Sequence, residues 1–457
     1  MAKLLPLEVL PQCLVGKVVL AHGCFDFLHP GHIEHLEQAK AMGDILVVTI
    51  TADEFVNKGP GRPLFPQGDR IRQLAALECV DFVAVVEAPT ALPALEIIKP
   101  AVYVKGPDYK DKADSSSWAE ERAAVRKYGG QVRFTSGKTY SSSVLIARHF
   151  PRLPEEATEF VGKIKKDIGL AGVFSWLDRA SKIRVAVLGE AIVDHYVFVS
   201  PEGKSRKDSI VCFKRVREES YAGGASAVWA HVTAVAPNAK EFLQMPPVVK
   251  TRYVLEPYMT KLFQVATVPE LHKKGEYGLS GFDMALVADY GHGMFPDGDI
   301  CRIVSPIPFL ALCVQTNSLN YGFNLLTKWS RADYVVADED EVRLACHDNS
   351  APVAELAGKL RSKLGAMGIA VTQGHKGALV LSEAGQVKVP SLTDKVVDRL
   401  GAGDAFLGVT APLACVGAPP GVLALVGSVA AAIEVGILGN KPVSGMALKR
   451  WLEALLK

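Results

Sequence analysis

Gly23-Cys24-Phe25-Asp26-Phe27-Leu28-His29-Pro30-Gly31-His32 decides the first part of the chain. The apolar run Val18-Val19-Leu20-Ala21 leads into it, and Pro30 suits the first turn of a helix, so the stretch turns a strand into a helix. Beyond it, Ile33, Leu36, Ala39 and Lys40 space like one helical face, and Asp44 to Ile50 reads as a second strand. The result is a βαβ unit with two imidazoles at a helix N-terminus, where free N–H groups and the helix dipole attract phosphate. Attack on the α-phosphate of a nucleoside triphosphate builds negative charge, and positioned imidazoles can donate hydrogen bonds to it. An isolated pair of histidines at this spacing would serve equally well as a helix cap.

Further strand-like runs at Phe82 to Val86 and Val102 to Val104 alternate with helical stretches at Arg70 to Leu77 and Trp118 to Tyr128. That alternation predicts an open parallel sheet, with ligands at the carboxyl ends of its strands. From Pro151 to Lys182 the spacing of Phe160, Ile164, Ile168, Phe174 and Leu177 predicts a helical linker. A new strand opens at Ile183, and alternating strands and helices run to the C-terminus. The expected division is 1–150, a linker at 151–182, and a second α/β domain at 183–457.

The 457 residues are too many for one ordinary core, and 49% hydrophobic against 22% charged residues is enough apolar side chain for two. A formal charge of +2 without a dense Lys/Arg cluster argues against nucleic acid and for a small-molecule partner. Eight cysteines, at 13, 24, 79, 212, 301, 313, 346 and 415, show no CxxC spacing and are expected to be buried reduced thiols. Pro6 and Glu8 interrupt what a signal peptide would need as an apolar core, so a cytoplasmic location is expected. The apolar segment Gly421 to Gly439 carries Glu434 and is too short to span a bilayer, which predicts a buried helix and no membrane partner.

A second phosphate-type motif lies near the C-terminus, in Val396-Val397-Asp398-Arg399-Leu400-Gly401-Ala402-Gly403-Asp404-Ala405-Phe406. Gly401, Ala402 and Gly403 let backbone N–H groups approach an anion, and Asp404 at the helix start is placed to take a proton from a hydroxyl. Phosphoryl transfer needs that arrangement. A glycine-rich loop with an aspartate cap is the plain alternative.

The first motif resembles the HxGH signature of the cytidylyltransferase-like nucleotidyltransferases, and the likeness runs through the first 150 residues. It implies a Rossmann-like fold with His29 and His32 as catalytic residues and Lys58 and Arg70 holding phosphate oxygens. Gly23, Cys24, Phe25, Asp26 and Gly31 would line the nucleotide site, with Lys105-Gly106-Pro107-Asp108-Tyr109 and Ser142 and Ser143 as its later motifs. These motifs look most like the adenylyltransferase half of the bifunctional ADP-heptose synthases, and next like glycerol-3-phosphate cytidylyltransferases. ATP or CTP, with Mg²⁺ bridging the phosphates, is the implied cofactor, and a sugar or polyol phosphate the implied partner.

From residue 183 onward the sequence resembles the ribokinase-like, PfkB-type sugar kinases. The likeness implies a ribokinase-like α/β fold with Asp404 as catalytic base and Asp194, Gly223, Gly224 and Asp289 contacting substrate. Thr372, Gly374 and Gly377 would join Gly401, Ala402 and Gly403 around a nucleotide, and Asp338 and Glu341 would stand near Mg²⁺. Departures fall in functional places: Asp398-Arg399-Leu400 replaces the family's Asp-Thr-Thr, and the segment from Gly224 to Val249 is a strand and helix short. Two readings stand. One is a bifunctional kinase and nucleotidyltransferase, in the opposite domain order to the ADP-heptose synthases, with a homodimer implied by the kinase family. The other is a nucleotidyltransferase, with CTP as an alternative donor, whose second half binds ligand or organises assembly without turnover.

Overall fold

Short, wholly apolar strands separated by amphipathic helices are the pattern of a parallel sheet covered on both faces, and both halves of the chain have it. The computed structural model describes residues 3–56, 62–109, 116–136, 153–243, 245–256, 258–270, 278–295, 307–394, 396–439 and 441–457. The chain divides into two compact units, Met1–Arg152 and Leu153–Lys457.

In the first unit the elements run β1 (Lys3–Leu4), β2 (Val18–Gly23), α1 (Pro30–Lys40), β3 (Ile45–Thr51), α2 (Gln67–Ala75), β4 (Phe82–Val86), α3 (Leu92–Ile98), β5 (Val102–Lys105), α4 (Ser116–Lys127) and β6 (Gln131–Phe134). The sheet order is β1-β4-β3-β2-β5-β6, and every pair is parallel. Successive residues of β2 enter opposite cores. Leu20 packs with Val47, Tyr103, Leu95 and Trp118, whereas Val19 packs with Val48, Val104, Leu36 and Leu74. The chain moves from β2 outward through β3 and β4, then returns to the other side of β2 for β5 and β6. The crevice at that reversal, at the carboxyl ends of β2 and β5, is where such sheets hold ligands.

The second unit begins with α5 (Glu155–Asp167) and α6 (Gly169–Ala180). Ala157, Val161, Ile164, Val173, Leu177 and Ala180 sit in the same core as the sheet that follows. The expected linker is helical, but its apolar face is buried in this unit, so it is part of the unit and not a spacer.

Next come β7 (Val185–Gly189), β8 (Ala191–Lys204), β9 (Val211–Gly224), α7 (Ala225–Thr233), β10 (Lys240–Phe242), β11 (Val248–Leu255), β12 (Thr260–Thr267), β13 (Met284–Asp289) and β14 (Leu310–Val314). They are followed by β15 (Tyr334–Asp338), α8 (Glu339–Cys346), α9 (Val353–Leu364), β16 (Gly368–Thr372), β17 (Ala378–Ser382), β18 (Gly385–Val389), α10 (Ala402–Cys415), α11 (Pro420–Glu434) and α12 (Gly445–Leu456). Eight strands form a main sheet in the order β10-β7-β13-β14-β15-β16-β17-β18, parallel except for the last two strands. A second sheet has the order β12-β11-β8-β9. The short segment after Gly224 holds α7 and the three-residue edge strand β10. Helix α11 is buried along nearly its whole length, as its apolar sequence predicts, and no described helix is long and apolar enough to cross a membrane.

The seven described cysteines are free, but only Cys313 is buried, inside β14. The expectation of buried thiols fails elsewhere because Cys79, Cys346 and Cys415 lie at or just beyond helix ends and Cys212 on the edge strand β9, each partly open to water. Cys301 lies outside the described residues.

Candidate functional site

His29 is the extended residue that caps α1, and Pro30 opens the helix. Its ring stacks on that of His32, centroids 3.8 Å apart and planes 15° from parallel, and the Phe25 ring meets His32 edge-on at 5.3 Å. The pair stands just beyond the carboxyl end of β2, beside the reversal of strand order. His29 is only 6% exposed, and burial lowers its pKa. Gly23 is open where a side chain would press on the Phe25 ring, and Gly31 lies in the first turn of α1.

Asp26 is placed differently from a nucleotide ligand. One carboxylate oxygen accepts from Leu64 N–H and Phe65 N–H, and the other is paired with the Arg62 guanidinium. Arg70 is fully buried, and four of its five N–H donors are spent on protein: Nε to the Phe65 carbonyl at 3.1 Å, Nη1 to the Cys24 carbonyl at 2.6 Å, Nη2 to the Thr51 carbonyl at 2.9 Å and Asp53 Oδ1 at 2.6 Å. The expected phosphate-binding arginine is therefore a clamp. It fastens the Gly23–Asp26 turn to β3 and α2, because carbonyls exposed at strand ends need donors when buried.

Lys105 departs from expectation in a similar way. Its ammonium is 3.2 Å from Glu121 Oε2 and lies 4.7–5.6 Å from the ring centroids of Tyr103, Tyr109 and Trp118. Glu121 also accepts from Ala91 N–H at 3.0 Å and Tyr103 O–H at 2.9 Å. An aromatic box with one carboxylate holds a cation well, so Lys105 lies at the crevice but is already partnered. Gly106 and Asp108 fall in the short turn after β5. Lys58, Ser142 and Ser143 lie outside the described residues.

His22 is a residue the motif did not single out. Its Nδ1 is 3.0 Å from Thr49 Oγ1 and its Nε2 3.4 Å from Thr51 Oγ1, and burial together with the Lys105 charge lowers its pKa to about 3. It is a neutral histidine at the mouth of the crevice. Its signal was a polar side chain ending the apolar run of β2.

In the second unit, Gly401 adopts φ +85° and caps α10, with Ala402, Gly403 and Asp404 forming its first turn. The Tyr290 hydroxyl donates to Asp404 Oδ1 at 2.9 Å. Lys250 lies within electrostatic reach of Asp404, Asp194 and Glu190, and burial lowers its pKa. Asp194 is paired with Arg252. Lys250 and Arg252 are two residues apart on β11 and so share a face, a relationship readable from strand periodicity alone. His292 stands near them, its pKa lowered to about 4 by burial and the Lys250 charge.

Other expected ligands are occupied internally. Asp289 Oδ2 accepts from Trp329 Nε1 at 3.0 Å and pairs with Lys328 at 2.5 Å, while Oδ1 accepts from Gly291 N–H at 3.1 Å and Asn324 Nδ2 at 3.2 Å. Strand-end and loop donors from both sides thus converge on this expected substrate ligand. Gly223 and Gly224 serve close packing: a Cβ at Gly223 would lie 2.4 Å from Asp194 Oδ2, and one at Gly224, where φ is +61°, would lie 2.3 Å from the Glu190 carbonyl. Thr372 ends β16 beside Asp338, and Gly374 and Gly377 build the turn into β17.

Asp338 and Glu341 form a capping box at α8. Asp338 Oδ1 accepts from Glu341 N–H at 2.7 Å, Glu341 Oε2 from Asp338 N–H at 2.9 Å, and Glu341 Oε1 from Thr316 N–H at 3.2 Å. Burial and the Asp338 charge push the Glu341 pKa up to about 8. Three of the pair's four carboxylate oxygens accept backbone N–H donors, and no group of three His, Cys, Asp or Glu suited to a metal occurs among the described residues.

Residues 20–159 match the cytidylyltransferase-like family, and residues 324–439 match the pfkB family of carbohydrate kinases. Bifunctional protein HldE of Helicobacter pylori (strain P12) is 41% identical over 150 residues, which are 32% of this chain and 31% of that protein. Bifunctional protein HldE of Geobacter metallireducens is 38% identical over 133 residues, 28% of this chain and 26% of that one. The chain thus spans under a third of the length of these curated relatives. Among solved structures, ribokinase from Thermotoga maritima is similar with a TM-score of 0.48 and 17% identity, covering 59% of this chain and 99% of its own. Phosphofructokinase-2 from Escherichia coli is similar with a TM-score of 0.46 and 12% identity, covering 61% and 100%. The chain therefore carries a stretch similar to the cytidylyltransferase-like family at residues 20–159, followed by one similar to the pfkB carbohydrate kinases at residues 324–439.

Proposed function

We propose that the protein is a bifunctional enzyme whose second unit phosphorylates a sugar or polyol and whose first unit transfers a nucleotide onto a sugar phosphate, giving an ADP-heptose-like product. The stacked His29 and His32 at the N-terminus of α1 carry this reading. In the transfer, a phosphate oxygen of the acceptor bonds to the α-phosphorus of ATP or CTP, the bond to the β-phosphate breaks, and pyrophosphate leaves. The imidazoles and the helix N-terminus meet the charge that develops on the α-phosphate oxygens. By resemblance, Lys58, Ser142 and Ser143 hold phosphate oxygens, while Arg70 and Asp26 hold the loop. A divalent cation accompanying the triphosphate would supply charge neutralisation to its phosphates.

Pyrophosphate release across a matrix of nucleoside triphosphates and sugar or polyol phosphates tests this directly. Release that requires one acceptor class identifies base and acceptor together. No release with any pair sinks it.

The internal engagement of Asp289, Gly223 and Gly224 favours a second reading, in which only the first unit turns over. Asp404→Ala decides between them. It abolishes sugar phosphorylation and spares nucleotide transfer if the kinase is live, whereas a wild type that phosphorylates nothing across a broad sugar panel leaves the transferase alone.

We also infer cytosolic action as a homodimer. The outer face of the second sheet carries a groove of about 500 Å³ lined by Val197, Phe213, Tyr253 and Phe263, with Arg215 and Glu218 beside it. Arg215 and Glu218 pair with each other at 3.1 Å, which leaves the apolar side chains of this face for a second copy of the chain to cover. Sedimentation of the full chain as a monomer at micromolar concentration would overturn the dimer.

A further inference from the structure

Tyr290, just after β13, has every polar group engaged. Its N–H donates to Glu190 Oε2 at 2.8 Å, its carbonyl accepts from Asn317 Nδ2 at 2.8 Å and Asn320 Nδ2 at 2.9 Å, and its hydroxyl donates to Asp404 Oδ1 at 2.9 Å. Glu190 further accepts from His292 N–H at 3.1 Å and Met294 N–H at 3.2 Å, which pins the turn that carries Tyr290. One residue, 3% exposed, thereby joins the segments after β7, β13 and β14 to the first turn of α10. Filling this space requires only a ring. The hydroxyl aimed at a carboxylate does something a phenylalanine would not, because it chooses one oxygen of Asp404 and fixes the plane of the carboxylate.

We infer that Tyr290 is a positioning residue for phosphoryl transfer, holding Asp404 by Oδ1 and fixing the plane of the carboxylate that serves the acceptor hydroxyl. The inference rests on the kinase reading above. In the step, the hydroxyl oxygen bonds to the γ-phosphorus of a nucleoside triphosphate, and the bond from that phosphorus to the β–γ bridging oxygen breaks. The hydroxyl proton passes to the Asp404 carboxylate, and the nucleoside diphosphate leaves with the bonding pair. Tyr290 keeps its own proton throughout, since burial and the Asp404 charge raise its pKa well above the ordinary value. Asp404 is also within electrostatic range of Lys250 on β11, Cys313 on β14, Glu341 on α8 and Glu434 on α11.

Tyr290→Phe in the full chain tests the assignment by sugar phosphorylation measured against pH. The expected result is a kcat reduced roughly 10- to 100-fold with little change in either KM. The acid limb of the kcat profile moves to higher pH, because the carboxylate loses a donor that favours its charged form. Nucleotide transfer onto supplied sugar phosphate, read on the same sample, stays unchanged and reports an intact chain. In an Asp404→Asn background the same substitution adds no further loss to the residual rate. An active wild type whose Tyr290→Phe variant keeps kcat and pH profile overturns the assignment alone; a wild type that phosphorylates no sugar overturns it together with the kinase reading.

Discussion

His29 and His32 stack face to face, with centroids 3.8 Å apart and planes 15° from parallel. Two imidazolium charges at that separation would repel. Burial already lowers the His29 pKa. A neutral imidazole still donates one N–H group, and the helix N-terminus beside the pair adds partial positive charge that needs no proton. The site is built to meet charge as it develops rather than to hold a dense cationic cluster.

Replacing His32 tests that directly. His32→Ala should lower nucleotide-transfer turnover by roughly 10²- to 10³-fold, the cost of removing one preorganised donor to a developing oxyanion. Its ring is half-buried, so thermal unfolding should move little. A twofold change in pyrophosphate release would assign the pair to helix capping.

Arg70 should behave as structure, not as a phosphate ligand. Arg70→Met strands the carbonyls of Cys24, Thr51 and Phe65, and the loss should be on the order of 3 kcal/mol in the stability of the first unit. Arg70→Lys rescues poorly, since one ammonium lacks the planar fork that reaches all these acceptors. Thermal unfolding reads the effect. A variant that keeps its Tm while the triphosphate KM rises would return Arg70 to the nucleotide.

Glu434 offers a pH test in the second unit. It is fully buried near the C-terminal end of α11, and burial pushes its pKa from 4.5 up to about 8. The folded chain therefore holds a proton that the unfolded chain releases. Its contribution to stability is fully present below pH 4.5 and is lost as pH rises toward 8. Glu434→Gln, which mimics the protonated form, should unfold like the wild type at pH 4.5. It should become progressively more stable above that, by up to about 1.4 kcal/mol per pH unit. A stability difference independent of pH would contradict it.

The histidine pair was legible because its information is local. Pro30 marks a helix start, three-residue spacing sets two rings on neighbouring turns, and the apolar run before Gly23 supplies the strand. The same holds for Gly401 to Asp404 at the start of α10 and for the alternation that announces two α/β units. Arg70, Lys105, Asp26 and Asp289 were legible as site residues, but their protein partners were not. Each was read as a ligand for nucleotide, phosphate or sugar, and each is held by protein groups from elsewhere in the chain: Cys24 and Asp53, Glu121, Arg62, Lys328 and Trp329.

What the amino-acid sequence determined by itself is the order of two α/β units and the points where a phosphate can meet a helix N-terminus, since both follow from side-chain periodicity and from turn residues close along the chain. Which charged groups remain to serve a ligand was decided only by the tertiary structure. A buried charge must find a counter-charge or a set of donors, and at Arg70 and Asp289 those partners come from strands and loops that only the folded sheets bring within hydrogen-bond distance.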